Sequence, residues 1–412
     1  MFNYIDLFAG AGGLSEGFTA LGFHPVAHVE MNKDACLSLK TRACYYYLKE
    51  NGQENIYRDY LEKKITREDL YNSVPKEVLN TVINRTMKEG EMEDLFSEIS
   101  RLKKEQSVDK IDLIVGGPPC QAYSLIGRSR TDMSKDPRNT LYKLYIAVLK
   151  QYEPKMFVFE NVPGLITAGG GIYFDQIKTA MDEVGYKIDI KLLKSENFGV
   201  LQRRRRLVIV GWKKGTPYHY PDFDIVKSNS TVRDILSDLP KLQPGQKNNE
   251  YATNEYSQYL RDMGIRKDGD VLTWNEARPN IERDREIYRR AISVWNESHS
   301  RLKYTDLPEE LCTHKNRKGF LDRFKVVASD EPTAQTMMAH ISKDGHYFIH
   351  PDIEQARSLT VREAARIQSF PDDFYFEGPR TSVFTQIGNA VPPLMAKGIA
   401  KKIKEQLEEN NE

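Results

Sequence analysis

The sequence predicts an α/β fold built on a doubly wound parallel sheet, with a second, smaller and loop-rich domain. In residues 1–212, short apolar runs alternate with amphipathic stretches, which is the pattern of strands joined by helices. After Trp212 this alternation stops, and Pro, Asn, Tyr and charged residues dominate. The length of 412 residues is enough for two domains with their own cores.

The elements can be assigned in order along the chain. Strands are predicted at residues 4–8, 25–30, 111–115, 156–160, 187–193 and 207–211, and helices between them at 32–49, 142–151 and 174–184. Residues 62–108, rich in Glu, Lys and Leu, are interpreted as a helical insertion. Thr360 followed by Glu363 predicts a capping box at a helix start, and an amphipathic helix is expected at 392–407. The predicted domains are 1–212 with 382–412, and 213–381.

The composition is that of an ordinary globular protein. Hydrophobic residues make up 40%, charged residues 29%, and the net charge is +1, so binding to a polyanion has to come from local basic patches. No apolar run approaches the roughly 18 residues that cross a membrane, and the N-terminus lacks a signal pattern. Four cysteines without framework spacing favour a reducing compartment. We therefore expect a cytoplasmic protein without a membrane partner.

A glycine-rich turn follows the first predicted strand, between Asp6 and Phe18. Glycines let a backbone approach a ligand, and a helix N-terminus offers free N–H groups. Glu30 closes the second strand and could accept both hydroxyls of a ribose. Because Ser15 stands where a G-x-G-x-x-G motif has its third glycine, a nucleoside without a pyrophosphate fits better than a dinucleotide. The alternative is a plain tight turn.

Cys120 stands directly after an apolar run and Gly116-Gly117-Pro118-Pro119. The prolines fix a turn that presents the thiol, and the arginines that follow favour its ionised form. Residues 121–138 are polar and suit a loop that closes over an anionic substrate. A zinc site is not expected, because no second Cys or His lies nearby at ligand spacing. The alternative is an inert buried cysteine.

A carboxylate and an arginine run complete the candidate site. Glu160 ends an apolar run and is interpreted as a proton-sharing group beside the thiol, with a salt-bridged strand end as the alternative. Residues 203–206 are four arginines. Alternate residues of a strand share a side, so Arg204 and Arg206 are expected to point together.

These features in this order resemble the bacterial DNA cytosine-C5 methyltransferases. The matching segments are 6–18, Glu30, 117–121, 160–162, 202–206, 357–374 and 386–393. The resemblance implies a Rossmann-like, S-adenosylmethionine-dependent methyltransferase sheet and a smaller domain with a target recognition region at about 213–333. It also implies the modification enzyme of a restriction-modification system, with a C-terminal helix that returns to the large domain.

The resemblance also implies roles for single residues. Cys120 would attack carbon 6 of a flipped cytosine, Glu160 would hold its N3 and amine, and Arg204 and Arg206 would hold its carbonyl. The implied cofactor contacts are Phe8, Ala9, Gly10, Gly12, Gly13, Leu14, Glu30, Asp59, Pro118, Asn389 and Val391. Asp59 is a substitute here, because the family's acidic residue after the third strand has no clean match. The implied DNA contacts are Gln121, Ser124 and Arg128.

The expected partners are S-adenosylmethionine, duplex DNA and a restriction endonuclease acting on the same site, with the protein itself a monomer. Residues 278–325 carry an excess of Arg and Lys suited to phosphates, and Lys315, Asn316 and Arg317 are possible base readers. A solvated basic loop explains those three residues equally well. Alternative functions are an RNA cytosine-C5 methyltransferase, a non-catalytic DNA-binding regulator and, more distantly, a nicotinamide dehydrogenase.

Overall fold

The computed structural model describes residues 1–119 and 141–410. The chain divides into two compact units. Unit 1 comprises Met1–Phe198, Arg205–Val226 and Val391–Glu412, and unit 2 comprises Gly199–Arg204 and Lys227–Ala390. The functional domains predicted from the sequence, 1–212 with 382–412 and 213–381, stay a prediction.

One sheet organises unit 1. Its seven strands in the described part of the chain are β1 (Asn3–Leu7), β2 (His24–Glu30), β3 (Val82–Asn84), β4 (Leu113–Gly116), β5 (Met156–Asn161), β6 (Tyr186–Lys194) and β7 (Arg205–Lys213). Their spatial order is β3-β2-β1-β4-β5-β7-β6. The five strands from β3 to β5 in that order are parallel, and β7 is antiparallel to both β5 and β6.

Fourteen α-helices lie in the described residues. They are α1 (Gly13–Thr19), α2 (Lys33–Glu50), α3 (Glu54–Leu61), α4 (Arg67–Asn72), α5 (Lys76–Asn80), α6 (Met92–Glu105), α7 (Leu141–Tyr152), α8 (Ile172–Glu183), α9 (Arg233–Leu236), α10 (Gln258–Asp262), α11 (Glu282–Ser298), α12 (Val361–Ile367), α13 (Arg380–Asn389) and α14 (Pro393–Glu409). Unit 1 contains α1–α8 and α14, and unit 2 contains the rest.

The α/β class and all six predicted strands are confirmed, but the sheet is mixed rather than wholly parallel. Residues 195–204 join β6 to β7, and parallel neighbours need a crossover of a dozen or more residues. The short connection therefore makes β7 antiparallel. The segment 62–108 is also not purely helical, because it supplies β3, which pairs in parallel with β2.

The central strands β4 and β5 are almost entirely apolar and buried, whereas β6 at the sheet edge carries Lys187, Asp189 and Lys191 and is largely exposed. Every residue of β4 is buried, as expected for a sheet covered on both faces. A Cβ at Gly116 would lie 2.3 Å from the Leu7 carbonyl oxygen, so glycine is required where β4 lies against β1. Helix α14 packs on α1, and a Cβ at Gly17 would lie 2.3 Å from the Ala396 backbone.

Unit 2 is rich in loops, with extended backbone paired only at isolated bridges among its described residues. The predicted capping box of α12 is confirmed: Thr360 Oγ1 accepts the Glu363 N–H at 3.2 Å, and Glu363 Oε2 accepts the Thr360 N–H at 2.7 Å. Arg366 is buried between Asp238 and Asp372, each at 2.6 Å. Across the described ranges, no helix has the length and apolarity needed to cross a bilayer.

Candidate active site

The candidate site lies at one edge of the unit 1 sheet. Strands β1, β2, β4 and β5 are parallel, so their carboxyl ends lie at the same edge. The sheet order reverses between β1 and β4, and in open α/β sheets ligands bind beyond the carboxyl ends at such a switch point. Antiparallel β7 begins at this edge, because Asn161 at the end of β5 pairs with Leu207.

The glycine-rich turn after β1 has a left-handed backbone at three positions. The φ angles are +57° at Phe8, +55° at Gly10 and +87° at Gly12. Gly12 is the N-cap of α1, and its N–H donates to the Ala9 carbonyl at 2.9 Å. Among the described residues, no atom lies within 4 Å of a Cβ placed on Gly10, so these residues leave space beside the turn. Gly13 and Leu14 are buried in the first turn of α1.

Glu30 ties the glycine-rich turn to the end of β2. Its Oε2 accepts the Gly10 N–H at 2.8 Å, and its Oε1 accepts the Asn32 N–H at 2.7 Å. Each carboxylate oxygen has two lone pairs, so each keeps one for a ligand donor. The carboxylate is therefore both fixed in orientation and able to accept two hydroxyl groups.

The sequence analysis missed Asn84, the last residue of β3, which stabilises the backbone at the end of β2. Its amide nitrogen donates to the carbonyls of Glu30 and Met31, at 3.1 and 3.0 Å. It also lies 3.3 Å from the Cys36 sulfur. No sequence signal identified Asn84, because β3 is only three residues long.

Ser15, which stands in place of the third glycine of a G-x-G-x-x-G motif, forms a hydrogen bond with Asp6. The hydroxyl of Ser15 in α1 donates to Asp6 Oδ2 at 2.6 Å, and both residues are buried. Burial raises the pKa of Asp6 to about 7, the Ser15 hydrogen bond opposes this shift, and the charge of Glu30 adds to it. Ser15 is thus a partner of a buried carboxyl, and a glycine at this position would remove that hydrogen bond.

Glu160 and Arg206 form an ion pair at the same edge, with Arg206 Nε 2.5 Å from Glu160 Oε1. Their side chains are 13% and 15% exposed, respectively. Gly117 lies against the carboxylate, since a Cβ there would be 2.7 Å from Glu160 Oε2.

Asn161 holds the chain after β4. Its amide nitrogen donates to the carbonyl of the buried Pro118 at 3.1 Å. The segment that leads into Cys120 is thus fixed beside Glu160. The predicted residues Cys120, Gln121, Ser124 and Arg128 lie outside the described residues.

The prediction that Arg204 and Arg206 point together is wrong. Strand β7 begins at Arg205, so its alternation of sides does not include Arg204. Arg204 is buried in unit 2, where its guanidinium donates to the carbonyls of Met337 at 2.7 Å and Gly388 at 3.1 Å. These contacts indicate that Arg204 stabilises the backbone of unit 2.

Asp59, the expected substitute for the family's acidic residue after the third strand, does not follow that strand, and its contact with the cofactor stays a prediction. Asp59 lies in α3, where it is partly exposed and 3.3 Å from the Lys64 ammonium. The third strand begins only at Val82, so Asp59 does not follow it. Of the two C-terminal candidates, Asn389 is the exposed last residue of α13 in unit 2, and Val391 is buried in unit 1.

Comparisons with known proteins agree on one family. Residues 2–75 and 83–405 match the model of the C-5 cytosine-specific DNA methylases. The chain is 43% identical to the type II methyltransferase M.Bpa9945I of Bacillus paralicheniformis, covering 97% of this chain and 98% of that protein. It is 31% identical to the type II methyltransferase M1.HphI of Haemophilus parahaemolyticus, covering 97% and 86%.

Two solved structures share the fold. A prophage-encoded E. coli protein aligns with a TM-score of 0.65 at 23% identity, covering 99% of this chain and 100% of that one. The Entamoeba histolytica methyltransferase EhMeth aligns with a TM-score of 0.55 at 16% identity, covering 99% of each chain.

Proposed function

Given that this chain belongs to the C-5 cytosine-specific DNA methylase family and is a DNA cytosine-5 methyltransferase, we propose that it methylates a flipped-out cytosine in a specific duplex sequence. The methyl donor is S-adenosylmethionine. The observation that carries this proposal is the Glu160–Arg206 pair, held against Gly117 three residues before Cys120. The names of the relatives, type II methyltransferases, support a role beside a restriction endonuclease that acts on the same site.

The residues at the sheet edge fit the cofactor. The space that the described residues leave beside Gly10 would admit a ligand close to the backbone, and Glu30 retains one lone pair on each oxygen for the ribose hydroxyls. When bound, S-adenosylmethionine supplies an electrophilic methyl group on a sulfonium. The proposed lining of this site within unit 1 is Phe8, Ala9, Gly10, Gly12, Gly13, Leu14, Glu30, Pro118 and Val391. The cofactor contact expected of Asn389 stays a prediction.

The proposed chemistry overcomes the weak nucleophilicity of cytosine carbon 5. The Cys120 thiolate adds to carbon 6, forming a sulfur–carbon bond and moving the electron pair of the 5,6 double bond toward carbon 5. Carbon 5 would then form a bond to the methyl group, and the electron pair of the broken sulfur–methyl bond would stay on the donor sulfur, which becomes a neutral thioether. A base takes the carbon 5 proton, the electron pair restores the double bond, and the thiolate leaves.

Glu160 stabilises the ring while charge moves through it. Its carboxyl group would hold N3 and the exocyclic amine, where charge develops after the thiolate adds. Arg206, whose Nε lies 2.5 Å from Glu160 Oε1, would hold that carboxyl group by charge and contact the cytosine carbonyl. Because a stacked base cannot meet a thiol, the target cytosine has to leave the duplex, at about a few kcal/mol. Gln121, Ser124 and Arg128 are the proposed contacts of the opened duplex.

A duplex with 5-fluorocytosine at the target tests this route, because fluorine cannot leave as a proton does. The target is first found by bisulfite sequencing of host DNA that contains the enzyme. Wild-type protein with S-adenosylmethionine is expected to form a covalent adduct that survives denaturing electrophoresis.

Cys120→Ala should bind the same duplex without an adduct. The matched control is Cys312→Ala, which removes a free cysteine of unit 2 and should keep the adduct. Methylation near the wild-type rate by Cys120→Ala would contradict the assignment of the nucleophile.

A further inference from the structure

A basic loop in unit 2, residues 313–321, is anchored at both ends by one tyrosine. The Tyr304 hydroxyl accepts the N–H groups of Thr313 at 2.7 Å and His314 at 3.0 Å. The Tyr304 N–H donates to the Leu321 carbonyl at 2.9 Å. Tyr304 is buried, and its ring stacks on Phe324 at 6.0 Å with an interplanar angle of 9°. The ends of the loop are therefore fixed to the apolar core of unit 2.

The tip of the loop is fixed as well. Asn316 Oδ1 accepts the Gly319 N–H at 2.9 Å, and a Cβ at Gly319 would lie 2.7 Å from the Asn316 side chain. The ring of His314 stacks on Phe320 at 4.2 Å. A loop held in this way loses little conformational entropy when it binds a partner.

The side chains on this loop divide into engaged and available ones. Asn316 is used inside the turn, and Arg317 pairs with Glu309 at 2.8 Å. Lys315 and Lys318 are exposed. In the described part of the chain, no carboxylate lies within 4.0 Å of either ammonium group. Residues 313–321 contain no acidic residue.

We propose that the loop 313–321 is a preformed contact for the DNA backbone, in which Lys315 and Lys318 bind phosphates and Asn316 is a positioning residue. This inference rests on the proposed function, since it names the part of unit 2 that holds the duplex. Two ammonium groups on a rigid loop match the spaced negative charges of a duplex. The engaged side chains of Asn316 and Arg317 are therefore not assigned to base reading.

The experiment measures the affinity of the full-length protein for two fluorescent duplexes by anisotropy over a range of salt concentrations. One duplex carries the target sequence, and the other a scrambled sequence of the same composition. Each lysine that binds a phosphate contributes about 0.9 to the slope of log affinity against log salt concentration. Lys315→Ala and Lys318→Ala should each lower that slope by about 1, and should weaken both duplexes alike.

Three controls sharpen the result. Lys104→Ala removes an exposed lysine of α6 in unit 1 and should leave the slope unchanged. Lys315→Arg should restore the slope, because it keeps the charge. Asn316→Ala should weaken binding without changing the slope, because it loosens the turn and removes no charge. Thermal melting checks that each variant is folded.

The results separate this inference from the proposed function. Unchanged slopes in folded Lys315→Ala and Lys318→Ala, in an enzyme that still methylates the target duplex, would overturn the loop assignment alone. If the two alanine variants bound the target duplex more weakly but the scrambled duplex as well as wild type, the assignment of Lys315 and Lys318 to phosphates would be wrong. A wild-type protein that neither binds nor methylates duplex DNA would overturn the proposed function instead.

Discussion

Alanine substitutions of Arg204 and Arg206 should affect different properties of the protein, although only one residue separates them. Arg204 is buried in unit 2 and donates to the carbonyls of Met337 and Gly388. Gly388 is the penultimate residue of α13, so its carbonyl is one of those that an α-helix leaves without an internal partner. Arg206, in contrast, pairs with Glu160 at the candidate active site. Arg204→Ala should therefore affect stability, and Arg206→Ala should affect turnover.

The structure gives the size of each effect. Arg204→Ala leaves two carbonyl acceptors without their donor, and a buried unsatisfied acceptor costs about 1–3 kcal/mol. The free energy of unfolding should fall by about 2–6 kcal/mol, a large part of the roughly 5–15 kcal/mol that stabilises a folded protein. Arg206→Ala removes the ion-pair partner of the carboxyl group that we propose stabilises charge on the cytosine, and losses of this kind lower kcat by about 100-fold or more.

The assay combines urea unfolding, followed by circular dichroism, with single-turnover methylation of the target duplex at a temperature where every variant is folded. The matched control is Arg203→Ala. It removes the exposed arginine beside Arg204 and should change the free energy of unfolding by less than about 0.5 kcal/mol. Arg204→Ala should unfold at lower urea and keep turnover within a few-fold of wild type.

One result would refute this reasoning. If Arg204→Ala unfolds at the wild-type urea concentration and loses turnover as Arg206→Ala does, the two carbonyl contacts are not what Arg204 contributes. Arg204 would then belong with the catalytic groups, as first predicted.

Two further predictions concern the same sheet edge. Gly117→Ala places a Cβ 2.7 Å from Glu160 Oε2, so methylation should fall at least about tenfold while the melting temperature changes little; a wild-type rate would show that the carboxylate moves aside at no cost. Burial raises the pKa of Asp6 from 3.8 to about 7, so its contribution to stability is present below pH 3.8 and is lost as the pH rises to about 7. Urea unfolding from pH 4 to pH 8 should show wild type losing stability relative to Asp6→Asn over this window, and parallel curves for the two proteins would contradict the assignment.

The sequence predicted those parts of the fold that depend on local pattern. Strands β1, β2, β4 and β5 are apolar runs bounded by turn residues, and such runs are recognisable alone. Strand β3 was missed because its three residues lie in a polar segment. The antiparallel direction of β7 was missed because it depends on the short connection from β6. A run of apolar residues predicts a strand but does not show whether the strand is parallel or antiparallel to its neighbours.

Some residues of the candidate site could likewise be predicted from local sequence pattern, and others could not. Glu30 and Glu160 were predicted because each closes a recognisable strand. The different positions of Arg204 and Arg206 could not be predicted, because they depend on the exact residue at which β7 begins. Asn84 acts through the backbone of the neighbouring strand, and such a contact requires the register of the pair.

The packing of α1 on α14 has a consequence for synthesis of the protein. Gly17 lies directly against the backbone of Ala396, so α1 gains this neighbour only after α14 has been synthesised. Until then the apolar side of α1 has no cover from the last helix, and the emerging polypeptide is a substrate for chaperones and proteases. We therefore expect a chain that is truncated before α14 to be removed by proteases instead of accumulating as a folded protein.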